Sequence, residues 1–187
     1  MLFYKTMYKK IFFTIIMLFM SFRSNSEIVF TDKFTLKKDW KIITDQVMGG
    51  VSQGKFNYKK IGKDHAIFLT GSVSTKTNGG FIQIRRNLND VNLNQVKNLT
   101  VQAKGNNEKY FVHLRTTFTI LPWQYYQSSF VVENNFRNFV LPIKNFKRSG
   151  YLLPKKINPK NIKSVAIVAF GKDYRAELIV KEISFIK

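Results

Sequence analysis

The sequence predicts an all-β protein, an antiparallel jelly-roll β-sandwich, and three observations lead there. No segment after residue 27 keeps a 3.6-residue apolar period over three turns. Ten short runs rich in β-branched and aromatic residues recur instead, separated by turn residues, which suits two packed antiparallel sheets. The chain has 187 residues, 44% of them hydrophobic with 18 Phe and 8 Tyr; that builds the core of one domain and excludes wholesale disorder.

The N-terminal segment stands apart. Lys5, Lys9 and Lys10 precede an apolar run of twelve residues, Ile11–Phe22, and Arg23 and Ser24-Asn25-Ser26 follow. A positive region, an apolar run and a small-residue site form the order of a secretory signal peptide, with cleavage before Glu27. The run is shorter than the ~20 residues that span a bilayer. The expected division is a signal peptide over residues 1–26 and a single β-sandwich domain over residues 27–187, exported to the periplasm. If the run is not cleaved, it anchors the N-terminus at the membrane.

The expected strands are Ile28–Phe34, Lys55–Lys59, Ala66–Val73, Phe81–Arg86, Leu99–Lys104, Tyr110–Phe118, Tyr126–Val132, Arg137–Pro142, Val165–Phe170 and Glu177–Phe185. Tyr110, Val112 and Leu114 share one strand face, and Phe111, His113 and Arg115 the other. Val165–Phe170 is apolar on both faces, as suits a strand in the middle of two layers. Lys104-Gly105-Asn106-Asn107, Asn78-Gly79-Gly80 and Gly171-Lys172-Asp173 carry turn chemistry, and Asn78-Gly79 has the composition of a hairpin turn. Arg148–Ile162, with Gly150, Pro154 and Pro159, is expected to be a long loop.

Three motifs carry candidate binding chemistry. The first runs from Trp40 to Asp45-Gln46-Val47-Met48-Gly49-Gly50-Val51-Ser52. Its paired glycines permit close backbone approach, while Asp45 and Ser52 can accept hydrogen bonds from nearby amides. It reads either as a recognition loop or as a structural turn whose Met48 plugs the sandwich edge. The second is Asn78-Gly79-Gly80-Phe81 leading into Gln83 and Arg85, which share a face with Phe81. Arg85 beside Arg115 suits a forked contact with a carboxylate or phosphate, and a salt bridge to Asp45 or Glu133 is the alternative. The third is Pro122-Trp123-Gln124-Tyr125-Tyr126, whose rings suit stacking on a sugar or a protein surface, or packing over one end of the sandwich.

Other chemistries are poorly served. There is no cysteine, so disulfides, thiolate metal sites and cysteine nucleophiles are excluded. His65 and His113 lie far apart in the chain, the 11 carboxylates are scattered, and no GxSxG or phosphate-loop pattern occurs. No catalytic residue, cofactor or metal is expected; a hydrolase using dispersed carboxylates, with Asp45 as its best candidate, is the outlying alternative.

The formal charge is +20, of which four cations belong to the N-terminal segment, leaving +16 on residues 27–187. The basic clusters are spread along the chain with no RNP, helix-turn-helix or finger pattern, so nucleic acid ranks last among partners. Envelope proteins, glycans and peripheral contact with anionic lipid suit an exported basic domain better.

Taken together, these motifs resemble the complex I intermediate-associated protein 30 family. The residues that carry the resemblance are Trp40 to Asp45-x-Val47-Met48-Gly49-Gly50-x-Ser52, then Phe68-x-x-Gly71-x-Val73-Ser74, then Asn78-Gly79-Gly80-Phe81-x-x-x-Arg85. Lys104-Gly105, Tyr110, Leu114-Arg115, Phe130, Phe139-x-Leu141-Pro142, Phe146 and Ile183 continue it. The resemblance implies a galactose-binding-like β-sandwich, similar to some carbohydrate-binding modules. It also implies a non-enzymatic role in assembling NADH:ubiquinone oxidoreductase. The leading expectation is therefore an exported binding or assembly factor, with a carbohydrate-binding module of the envelope as the alternative.

Overall fold

The computed structural model of the protein describes residues 27–36, 39–77 and 79–187; the expected signal peptide and Asn78 lie outside them. The described residues form twelve strands and three short 3-10 helices, and none of their helices is long and apolar enough to cross a membrane. One sheet carries, in order, β3 (Gln53–Ile61), β4 (Asp64–Val73), β12 (Tyr174–Ile186), β6 (Asn98–Gly105) and β9 (Arg137–Pro142), with β1 (Ile28–Asp32) also on β12. The other carries β10 (Lys147–Arg148), β8 (Tyr126–Val131), β7 (Lys109–Thr116), β11 (Ile162–Phe170), β5 (Phe81–Asn87) and β2 (Trp40–Thr44). The pairings are antiparallel, for example β11 with β5 and β7. The molecule is a two-sheet antiparallel sandwich, as the sequence predicts.

The alternation within the strands places the core. Tyr110, Val112 and Leu114 of β7, and Val165, Ile167 and Ala169 of β11, are buried between the sheets. They meet Ile67 and Leu69 of β4, Leu99 and Val101 of β6, and Leu178, Val180, Ile183 and Phe185 of β12. A slip of one residue in any of these strands would turn its apolar set outward, so burial sets the register. The 13-residue β12 pairs with β4 along its first half and with β6 and β1 along its second.

Several boundaries and one connection differ from the sequence-based reading. β1 stops at Asp32 rather than Phe34: Phe34 takes φ 58, turns the chain and drops its ring into the core against Trp40, with centroids 5.6 Å apart. β7 stops at Thr116 rather than Phe118, because the Thr119 amide closes a turn on the Thr116 carbonyl at 3.0 Å. β2 and β10 were not expected. Both are short edge strands, too brief to show a period. The expected long loop is correspondingly shortened: Arg148 lies in β10, Pro159–Asn161 is a 3-10 turn, and Ile162 opens β11.

Asn78 of the expected Asn78-Gly79 turn lies outside the described residues, and the flanking strands do not form a hairpin. Those strands, β4 and β5, belong to different sheets, and the turns at Gly105 and Gly171 also cross between sheets. The true two-residue hairpin is Gly62-Lys63 between β3 and β4, where Gly62 takes φ 63.

Candidate functional site

The outward face of the second sheet is not uniformly solvated. Antiparallel registers align one residue from each strand into a row: Lys41, Arg85, Ala166, His113, Gln127 and Lys147. Exposed lysines end the row, and the middle is covered. Ala166 is small, and the larger Arg85 and His113 stand on either side of it. Next to this row lie Ile43, Gln83, Val168 and Phe111. The result is a cleft of about 480 Å³ floored by Gln83, Arg85, Ala166, His113 and Arg115. Val47, Met48, Phe81 and Phe170 contribute apolar lining, and Pro122, Trp123 and Tyr125 supply the wall from the β7–β8 loop.

Asp45 positions two of these lining segments. It is fully buried, and its carboxylate accepts hydrogen bonds from the Ser52 amide (2.9 Å), the Ser52 hydroxyl (2.6 Å) and the amides of Gly80 (2.6 Å) and Phe81 (3.4 Å). Burial by itself raises its pKa. The Ser52 hydroxyl and the amides of Gly80, Ser52 and Phe81 outweigh that and hold the carboxyl below its ordinary value. Gly50 and Gly79 both press against Asp45 where a Cβ has no room. The two glycine-pair loops meet around this one carboxylate. It has no exposed surface, so Asp45 acts as a staple between loops rather than as an open acid.

The cationic floor lacks a counter-charge. The expected alternative, a salt bridge from Arg85 to Asp45 or Glu133, is not made: Asp45 is occupied as described and Glu133 pairs with Arg137 at 2.7 Å. Arg85 reaches only the Gln83 side-chain oxygen, at 3.4 Å, and its buried Nε has no partner among the described residues. Burial lowers its pKa, and the nearby Arg115 charge lowers it further. Arg115 spends donors on the loop, giving hydrogen bonds to the carbonyls of Thr119 (2.8 Å) and Leu121 (3.0 Å). Among the described residues, no Asp or Glu lines the cleft.

His113 is buried and stacked flat on Tyr125, with ring centroids 3.9 Å apart at 8°. Burial, then the Arg85 charge, push it down to about 3, with Gln127 acting weakly the other way. The imidazole is therefore neutral at physiological pH. Its Nε2 has no hydrogen-bond partner among the described residues. It is a sheet residue, as expected, with its ring stacked on Tyr125.

Of the residues singled out in the sequence, Met48, Gly79, Phe81, Arg85, Arg115, Trp123 and Tyr125 line the cleft. Asp45, Gly50, Ser52 and Gly80 form the staple behind it, and Gly49 closes the 3-10 turn on the Gln46 carbonyl at 3.2 Å. Asn78 lies outside the described residues. Met48 does not plug the sandwich edge but stands half exposed at the cleft. Trp123 is 60% exposed, while Tyr126 is the ring that enters the core. Ile43, Ala166, Phe170 and Ser149 also line the cleft and were not expected there. The period-2 phase that puts Arg85 on the outer face would have found Ile43 and Phe170 once the strand pairing was known.

This geometry can bear a flat ring on Trp123, hydrogen-bond polar groups at Gln83 and His113, and fork an anionic oxygen pair at Arg85. Among the described residues no group of three or more His, Asp and Glu gathers as a metal site.

Comparison with known proteins places the fold. The family 11 carbohydrate-binding module of a cellulosomal cellulase of Clostridium thermocellum is 12% identical, over 87% of this chain and 94% of that one, with a TM-score of 0.66. The family 11 module from the same organism, in complex with a β-1,3-1,4-mixed-linked tetrasaccharide, is 12% identical over 86% and 95%, with a TM-score of 0.67. A carbohydrate-binding module with specific mannan recognition is 12% identical over 88% and 99%, with a TM-score of 0.50. At such identity the likeness shows the sandwich fold. No curated protein sequence matches significantly. The family described as Complex I intermediate-associated protein 30 matches residues 28–178, a span that takes in β1 to β11 and the first part of β12 together with the cleft. On that match the chain belongs to the complex I intermediate-associated protein 30 family.

Proposed function

We propose that this protein is a non-enzymatic binding module that acts outside the cytoplasm and holds its ligand in the cleft of the second sheet. The observation that carries the reading is the cleft itself, a preformed hollow with an exposed Trp123 wall and two guanidiniums on its floor without a carboxylate. A histidine titrating at about 3 and two arginines orient a ligand; near neutral pH they do not shuttle protons. The order of charge, apolar run and small residues in positions 1–26 supports export.

Family membership supports an assembly role, with an envelope protein partner belonging to respiratory NADH:ubiquinone oxidoreductase. The test is to place a photo-crosslinking amino acid at Met48 in intact cells and identify adducts by mass spectrometry. A reproducible envelope protein, lost in Arg85→Ala, is expected. No reproducible adduct, together with unchanged respiration on deletion, would refute it.

A second reading, a glycan ligand, is favoured by the position of the cleft on a sheet face rather than a sheet edge. A face offers side chains and ring platforms but no free strand hydrogen bonds for an extended peptide. The carbohydrate-binding modules of the same fold support it. A glycan array probed with residues 27–187 decides the matter; no binding at millimolar sugar removes this reading.

A further inference from the structure

Two loops at one end of the second sheet carry large side chains that the sandwich does not bury. The β7–β8 loop exposes Phe118, Ile120 and Leu121, with Ile120 83% exposed. The segment after β10 exposes Tyr151 (82%) and Leu152 (70%). The loops adjoin: the Ser149 amide donates to the Tyr125 carbonyl at 2.8 Å, and the Ser149 hydroxyl to the Trp123 carbonyl at 3.1 Å. Both are also held from beneath. Arg115 donates to the Thr119 and Leu121 carbonyls, and Arg148 donates to the Tyr151 carbonyl at 2.7 Å and to that of Leu153. The apolar tips are thus presented by a built framework.

The stretch of sequence that carries the second loop is one-sided in charge. Between Glu133 and Asp173 the sequence has nine Lys or Arg and no Asp or Glu. Arg137 and Lys172 are paired, with Glu133 and Glu108. The other seven have no carboxylate within ion-pair distance among the described residues. Four of them, Lys144, Lys147, Arg148 and Lys155, line one shallow hollow next to the Tyr151–Leu152 tip. Clustered exposed apolar side chains mark an interaction surface. Protein interfaces are depleted of lysine, whereas a membrane-interface site sets apolar and aromatic tips among lysines and arginines.

We infer that this end of the sandwich docks peripherally on an anionic lipid bilayer. Phe118, Ile120, Leu121, Tyr151 and Leu152 enter the headgroup layer, and the cations of the hollow meet lipid phosphates. Trp123 adjoins the same loops, so the cleft opens next to the membrane surface. The inference rests on the loops and their charge and is independent of what the cleft binds.

Vesicle flotation tests it. The probe is residues 27–187, which hold both sheets and the whole described core, on phosphatidylcholine vesicles with and without phosphatidylglycerol. Binding is expected to be at least about tenfold stronger with phosphatidylglycerol and to fall as salt is added. Trp40 is buried in the core, so a blue shift of tryptophan emission on the vesicles reports Trp123. Ile120→Asp with Leu152→Asp is expected to lower binding about tenfold or more, with an unchanged unfolding midpoint because both side chains are exposed. Lys147→Glu with Lys155→Glu lowers it through charge. Absence of binding, or binding indifferent to the Ile120→Asp and Leu152→Asp pair, overturns the inference. Vesicle-free self-association abolished by that pair, without lipid binding, assigns the tips to a second copy and also overturns it. The pair leaves the cleft lining intact, so cleft crosslinking and vesicle binding fail independently.

Discussion

Asp45 and His113 are both buried polar residues at the second sheet, and opposite forces keep them there. Asp45 stays charged because four donors surround it; His113 stays neutral because burial and the Arg85 charge both disfavour its cation. Asp45→Asn sets an amide N–H against the amides it should accept from, and is expected to cost about 2 kcal/mol in urea unfolding. The lowered Asp45 pKa means its stabilisation is complete above the unfolded-state value of 3.8 and is lost as pH falls through the folded value. For His113 the folded pKa of about 3 lies below the ordinary 6.5, so the unfolded chain binds the extra proton between those values. Stability therefore falls as pH drops through that window, by at most about 1.4 kcal/mol per pH unit. His113→Gln is expected to flatten this slope in urea midpoints measured between neutral and acid pH; an unchanged slope would assign it to other groups. Asp45 was legible from its place before a glycine pair. The neutrality of His113 was not, because it follows from Tyr125 and Arg85, which reach it only through folding.

At the scale of elements, the edge strand β2 and the end of β1 are fastened by one buried cluster. Asp32 accepts from Trp40 Nε1 at 2.8 Å and from the Phe34 amide at 2.7 Å, and it pairs with Arg86, which also reaches Asp39 at 2.9 Å. Removing one partner of a buried ion pair leaves the other uncompensated. Arg86→Ala is expected to destabilise the fold by about 3 kcal/mol. Hydrogen exchange is expected to show early loss of protection in β1 and β2; uniform loss across both sheets would contradict this local role. The long central strands were legible because their alternation is strong. β2 and β10 were not, since a short edge strand is specified by its neighbour more than by its own pattern.

Across the whole molecule, strands close in space are far apart in sequence. β1 pairs with β12, β2 with β5, and β11 inserts between β5 and β7. Loop closure must precede most of the stabilising contacts, so refolding from urea is expected in the millisecond-to-second range. Stopped-flow fluorescence of the buried Trp40 measures it, and sub-millisecond refolding would contradict the argument.

Local pattern was enough to identify ten of the twelve strands, the charge excess and the absence of thiol chemistry, because alternation, turn residues and composition act over a few residues. It also marked Asp45, Gly50, Gly79 and Arg85 as unusual. Local pattern could not say that β4 and β5 belong to different sheets, that Ala166 lies between Arg85 and His113, or that the Ile120 and Leu152 loops adjoin. Those relations depend on strand order, which is set by how the apolar faces of distant segments fit together, and no window of neighbouring residues contains that information.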